Sequence, residues 1–110
     1  MAANVNQVDP SFQAALMRFG FSPIAFATII ANGIRYPADL IGMMTKDIEN
    51  VMKIIRNTED NQNQVIVPYM TQKRFTIFAY WVNRRYRLQE SIDAADFTPL
   101  ALEAFGKLMV

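Results

Sequence analysis

Apolar residues recur along the chain in short runs of helical period, each bounded by Gly, Asp-Pro or Ser-Pro. Phe12, Ala15, Leu16 and Phe19 fall at i, i+3, i+4 and i+7, so the spacing predicts a first helix over Pro10 to Phe19, with Asp9-Pro10 as cap and first helical residue. Gly20 can take the left-handed conformation that ends it, and Ser22-Pro23 opens the next. This second run, Pro23 to Asn32, is apolar all round, which predicts a central, buried helix. Gly33 closes it, and Pro37 opens a short third turn with Leu40 and Ile41 facing inward. Thr45 is the expected cap of a fourth helix. Asp47 and Glu49 stand in its first turn, Lys53 and Arg56 in its last, and Ile48, Val51, Met52 and Ile55 form its apolar stripe. The stretch Phe19 to Ile55 is thus a compact helical module around which the rest is organised.

The pattern then breaks. Residues 57–63, Asn-Thr-Glu-Asp-Asn-Gln-Asn, are polar without period and read as a loop, and Val65-Ile66-Val67 reads as an apolar strap rather than a strand. A long helix is predicted from about Thr71 to Gln89 with two apolar stripes, one of Phe75, Phe78, Ala79, Val82 and Tyr86, the other of Ile77, Trp81 and Leu88. Two stripes need two partners: the short-helix module for the first, and for the second a C-terminal helix begun by Thr98-Pro99 and carrying Leu100, Leu102, Phe105, Leu108 and Met109. The prediction is an all-α, compact bundle of five to six helices. Residues 1–9 are a loose tail and 10–110 one domain, divided into a short-helix module (10–57), a linker (57–70) and the long and C-terminal helices (71–110).

Composition narrows the chemistry. In 110 residues, 52% are hydrophobic, enough for one core. The 11 basic and 10 acidic residues nearly cancel, so any basic patch must be local. The absence of cysteine and histidine removes disulfides, thiolate and imidazole metal sites, and the common nucleophile pairs. No Walker loop or dinucleotide glycine pattern occurs, and no stretch approaches the roughly 18 apolar residues of a membrane span. The expectation is a soluble, intracellular protein without cofactor, metal or catalytic residues, and with no membrane partner.

Several constellations compete with bland readings. Lys73, Arg74, Arg84, Arg85 and Arg87 stand against one acid, Glu90, with Tyr80, Trp81 and Tyr86 interleaved, a pattern that suits nucleic acid and equally suits a solvated helix face. Gly20-Phe21-Ser22 is similar to the hairpin of helix-hairpin-helix modules and to the loop of ubiquitin-associated domains. Ser22 stands where a second glycine is usual and Phe19 where a methionine is, so helix capping is the preferred role. Met43-Met44 can line an adaptable groove or fill core gaps. Asp93 and Asp96 are too few oxygens for a calcium site, and Asp96 or Thr98 is better read as a cap.

Phe21, Phe26, Gly33-Ile34, Leu40 and Thr45-Lys46-Asp47-Ile48 together resemble the sterile alpha motif, or SAM-like, arrangement of short helices, although residues 57–70 are longer than that pattern allows. The order Gly-Phe-Ser, Gly-Ile, Leu, Thr-x-Asp-Ile, then residues 78–88 and 92–99, resembles gag-like N-terminal regions of retroelement polyproteins from diatoms and other microalgae. These resemblances imply a non-enzymatic, self-associating or protein-interaction module. The gag-like resemblance implies a functional face of Tyr80-Trp81 with Arg84, Arg85 and Arg87. The second apolar stripe itself suggests Ile77, Trp81 and Leu88 as the anchor, with Lys73, Arg74, Arg84, Arg85 and Arg87 as a basic rim. The partner is a second copy or another protein, with nucleic acid on the same basic helix as the alternative.

Overall fold

The computed structural model describes residues 8–60 and 63–108. Among these the chain forms five α-helices: α1 (Pro10–Phe19), α2 (Pro23–Ala31), α3 (Thr45–Arg56), α4 (Tyr69–Arg87) and α5 (Pro99–Leu108). Short 3₁₀ turns at Pro37–Leu40 and Ala94–Asp96 complete an all-α bundle.

Local chemistry accounts for the helix ends. The Asp9 carboxylate accepts from the Ser11 amide, and the Ser22 hydroxyl from the Ala25 amide. Gly20 has φ 109°; its amide donates to the Met17 carbonyl, and that of Phe21 to the Leu16 carbonyl, closing a Schellman motif. The motif repeats at α2: the Gly33 amide donates to the Ile30 carbonyl, and that of Ile34 to the Ile29 carbonyl. In each case the residue after the glycine, Phe21 or Ile34, is buried and turns the chain back onto the core. A Cβ at Gly20 would stand 2.6 Å from the Thr71 hydroxyl, so this turn also sets how closely α4 approaches.

α1 buries Phe12, Ala15, Leu16 and Phe19, and α3 buries Ile48, Val51, Met52 and Ile55, the faces that the spacing predicts. Full burial of each large side chain contributes about 1.5–3 kcal/mol. The cap of α3 differs from expectation. Thr45 is the first helical residue, and the Asp47 carboxylate reaches back to accept from the Met44 amide at 2.8 Å. Asp39 does the same for the Arg35 and Tyr36 amides.

The central helix is α4, not α2. α4 packs against α1, α3, α5 and the turn Pro37–Leu40, whereas α2 meets α1 and α3. Much of the all-round apolarity of α2 comes from small residues, and Pro23, Ala27 and Ala31 face solvent at little cost. α4 instead buries Phe75, Phe78, Ala79 and Val82 on one side and Ile77 and Trp81 on another.

The linker carries a short antiparallel pair, β1 (Glu59–Asp60) with β2 (Asn63–Gln64), where the sequence predicts only a loop. The strap behaves as expected, with Val65 and Val67 buried and Ile66 exposed. At the other end the expected tail shortens: Val8 packs on the core and the Asp9 amide donates to the Arg35 carbonyl. Residues 1–7 of that tail, and Met109 of the predicted last helix, lie outside the described residues.

Candidate interaction surface

The second stripe of α4 finds a partner that its period alone does not identify. Phe97, fully buried, sits with its ring centroid 5.0 Å from those of both Phe78 and Trp81, and 6.0 Å from that of Phe19. Trp81 stacks on Phe78 at 5.8 Å, and the Arg85 guanidinium lies 4.7 Å above the indole. At 4% exposure Trp81 is a core residue. Ile77 is also buried: a Cβ on Gly106 of α5 would come within 3.2 Å of its Cδ1. Neither can be the open anchor that the sequence suggests, because Phe97, Arg85 and α5 cover them. Leu88 is exposed, as is Tyr86, and α4 buries nothing beyond Val82.

The five basic residues divide in two. Arg74 donates to the Phe19 carbonyl at 2.9 Å, closing the end of α1. Arg85, besides covering Trp81, donates to the Ser91 carbonyl and stands 3.8 Å from Glu90 and 3.9 Å from Asp96. Both are therefore structural. Lys73, Arg84 and Arg87 are exposed, lie on one side of α4 with Tyr80, and have no ion pair among the described residues. Arg84 lies 5.7 Å over the Phe105 ring.

Two further features bear on binding. Met43 and Met44 line a groove of about 360 Å³ with Ile48, Tyr80, Asn83 and Arg87, and Met44 is 74% exposed. Asn83 fixes its geometry. Its side-chain amide donates to the Leu40 and Ala79 carbonyls, and its oxygen accepts from the Gly42 amide at 2.7 Å. Nothing in the periodicity marks Asn83, which sits on the polar side of α4 and acts through residues more than forty positions away. The Asp93 carboxylate accepts from the Ala95 amide and Asp96 pairs with Arg85, so both are occupied in holding the turn that presents Phe97. Among the described residues no group of three or more acids could hold a metal ion, and no helix is long and apolar enough to cross a membrane.

The most open apolar surface is on α5. Thr98 caps the helix through the Ala101 amide, as its sequence predicts. Ala101, Leu102 and Phe105 face the core, and Phe105 meets Tyr80 at 5.5 Å, yet no residue of α5 is buried. Leu100 and Leu108 are 77% and 66% exposed, with Ala104 exposed between them. Tyr69 and Met70, exposed in the first turn of α4, share separate grooves with Gly106 on another side of α5. Comparison with protein-family models, curated proteins and solved structures finds no match, so the reading of this surface rests on its own geometry.

Proposed function

We propose that the protein is a non-enzymatic interaction module that works by self-association. The observation that carries this reading is α5. A helix apolar on nearly all sides belongs inside a core, yet its outer row, Leu100, Ala104 and Leu108, is open to solvent. Glu103 and Lys107, exposed beside that row on the same helix, supply a polar rim. The likeness of residues 20–55 to SAM-like modules, and of the longer pattern to gag-like regions, points the same way. The anchor moves outward from Ile77 and Trp81 to Leu100 and Leu108.

A second reading has its own support. Lys73, Arg84 and Arg87, unpaired on one side of α4 beside Tyr80, suit a single strand of nucleic acid, with cations on phosphates and a ring available for stacking. Light scattering after size exclusion separates the two. Self-association requires a mass that grows with protein concentration at both low and high salt, because apolar burial is not screened. A mass held at the 12.6 kDa monomer until a single-stranded oligonucleotide is added, with binding that weakens steeply in salt, transfers the function to nucleic acid.

A further inference from the structure

We infer that a groove beside α2 binds a small amphipathic carboxylate, with Arg35 as its anion-binding group. The site shares no residue with the surface of α5 and is independent of the self-association reading. Arg35 is half-buried, and its Nε is fully buried without an acceptor among the described residues. Nor does its guanidinium form an ion pair there. A buried donor left without an acceptor is costly, and folded proteins keep few of them.

The acids that lie close to Arg35 are committed elsewhere. The Arg35 carbonyl accepts from the Asp9 amide, and the Arg35 amide donates to Asp39 Oδ2 at 2.8 Å, so the backbone is fixed between two carboxylates. Asp9 caps α1 through the Ser11 amide, and Asp39 also accepts from the Tyr36 amide. The side chain, held by neither, lines a groove of about 650 Å³, a volume within the range of small-molecule sites. Phe26 and Ile30 of α2 supply its apolar wall, and the small Ala27 and Ala31 leave the channel open. Val8 and Gln13 line it from the α1 side. Arg35 is the one charged residue among those that line it.

This arrangement selects the ligand. The Nε and adjacent Nη of a guanidinium make a two-pronged donor that matches the two oxygens of one carboxylate. A phosphate dianion fits less well, because a single cation with Asp9 and Asp39 on its backbone does not balance two negative charges. A peptide also fits less well. Its amides and carbonyls need partners along its length, and a helix wall whose backbone bonds are internal offers none. The apolar wall is left to take an aliphatic chain.

Octanoate is the probe, titrated into the intact, isotope-labelled chain and followed by amide correlation NMR, in which the Arg35 Nε–H is itself observable. One guanidinium and a short apolar wall give a weak complex, with an expected Kd of about 0.1–1 mM. Saturable shifts are expected at the Arg35 Nε–H and at the Ala27, Ile30 and Ala31 amides. Octanol and octylphosphate are each expected to bind at least about tenfold more weakly than octanoate. Arg35→Gln, which removes a side chain with no partner to lose, is expected to keep the fold and to lower octanoate affinity at least about tenfold, and Arg35→Lys to recover part of that loss. Ala31→Leu, at an exposed helical position, fills the channel and is expected to weaken binding several-fold with Arg35 intact.

Shifts that do not saturate, that centre on α5 or on the Met43-Met44 groove, or that octanol reproduces at equal affinity overturn the site. So does an Arg35→Gln chain that binds octanoate unchanged. Equal binding of octylphosphate overturns the choice of a carboxylate. Removal of residues 1–7 tests a rival occupant: if that deletion moves the Arg35 Nε–H and octanoate does not, residues 1–7 hold the groove and the ligand is overturned.

Discussion

α1 and α5 are both ten residues long, both begin with a capping side chain followed by proline, and both are rich in apolar side chains. α1 buries Phe12, Ala15, Leu16 and Phe19 almost completely, and α5 buries nothing. The difference lies in what surrounds them. The face of α1 meets Phe78 and Phe97, and its end is tied down by Arg74 through the Phe19 carbonyl, while Arg18 donates to the Phe97 carbonyl at 2.7 Å. α5 packs chiefly on α4, on a side where Phe97 already covers Trp81 and where Phe105 reaches Tyr80 and Arg84. Helix-forming signals thus do not say how deep a helix will lie. A helix with equal apolar content and fewer partners becomes a surface.

The comparison can be broken most severely on the deep side. Trp81→Ala or Phe78→Ala removes a member of the aromatic cluster that joins α1, α4 and Phe97, and each is expected to cost about 3–5 kcal/mol in denaturant unfolding. A folded Trp81→Ala chain of unchanged stability that no longer self-associates would return Trp81 to the role of surface anchor. Gly20→Ala comes next. It forces a side chain onto φ 109° and against the Thr71 hydroxyl, with an expected loss of about 1–3 kcal/mol. Thr71→Ala in the same chain is expected to recover only the steric part.

On the shallow side the effects shrink. Phe105→Ala loses a half-covered ring on Tyr80 and Arg84 and is expected to lower stability by about 1 kcal/mol, a third or less of the Phe78 effect. Leu100→Ser and Leu108→Ser are expected to leave the monomer within about 0.5 kcal/mol while weakening self-association. Loss of more than that from either serine variant in dilute protein would show that the outer row of α5 is covered within the monomer. Circular dichroism with chemical denaturation measures stability in every case, and light scattering the assembly.

Much of the fold is legible because its signals are local. A cap acts within four residues, a Schellman glycine within six, and an apolar face repeats every three or four. These determine the starts of α1, α2, α3 and α5 to within a residue, and for α1 and α3 also the buried face. The same rules mislead where an apolar surplus rests on alanine, as in α2, or where no neighbour covers the stripe, as at Tyr86 in α4 and at Leu88 just past it.

By itself, then, the sequence determines an all-α chain, its helix boundaries and most of its core faces, because backbone conformation and amphipathic period are short-range properties. Tertiary structure alone decides which helix is central and which residues cover which. Phe97 buries Trp81 from sixteen residues away, Asn83 holds Leu40 and Gly42, and Arg74 and Arg85 become structural while Lys73, Arg84 and Arg87 stay free of ion pairs among the described residues. Only the folded chain leaves the outer row of α5 uncovered. Burial depends on the sum of distant neighbours, which no window of sequence contains.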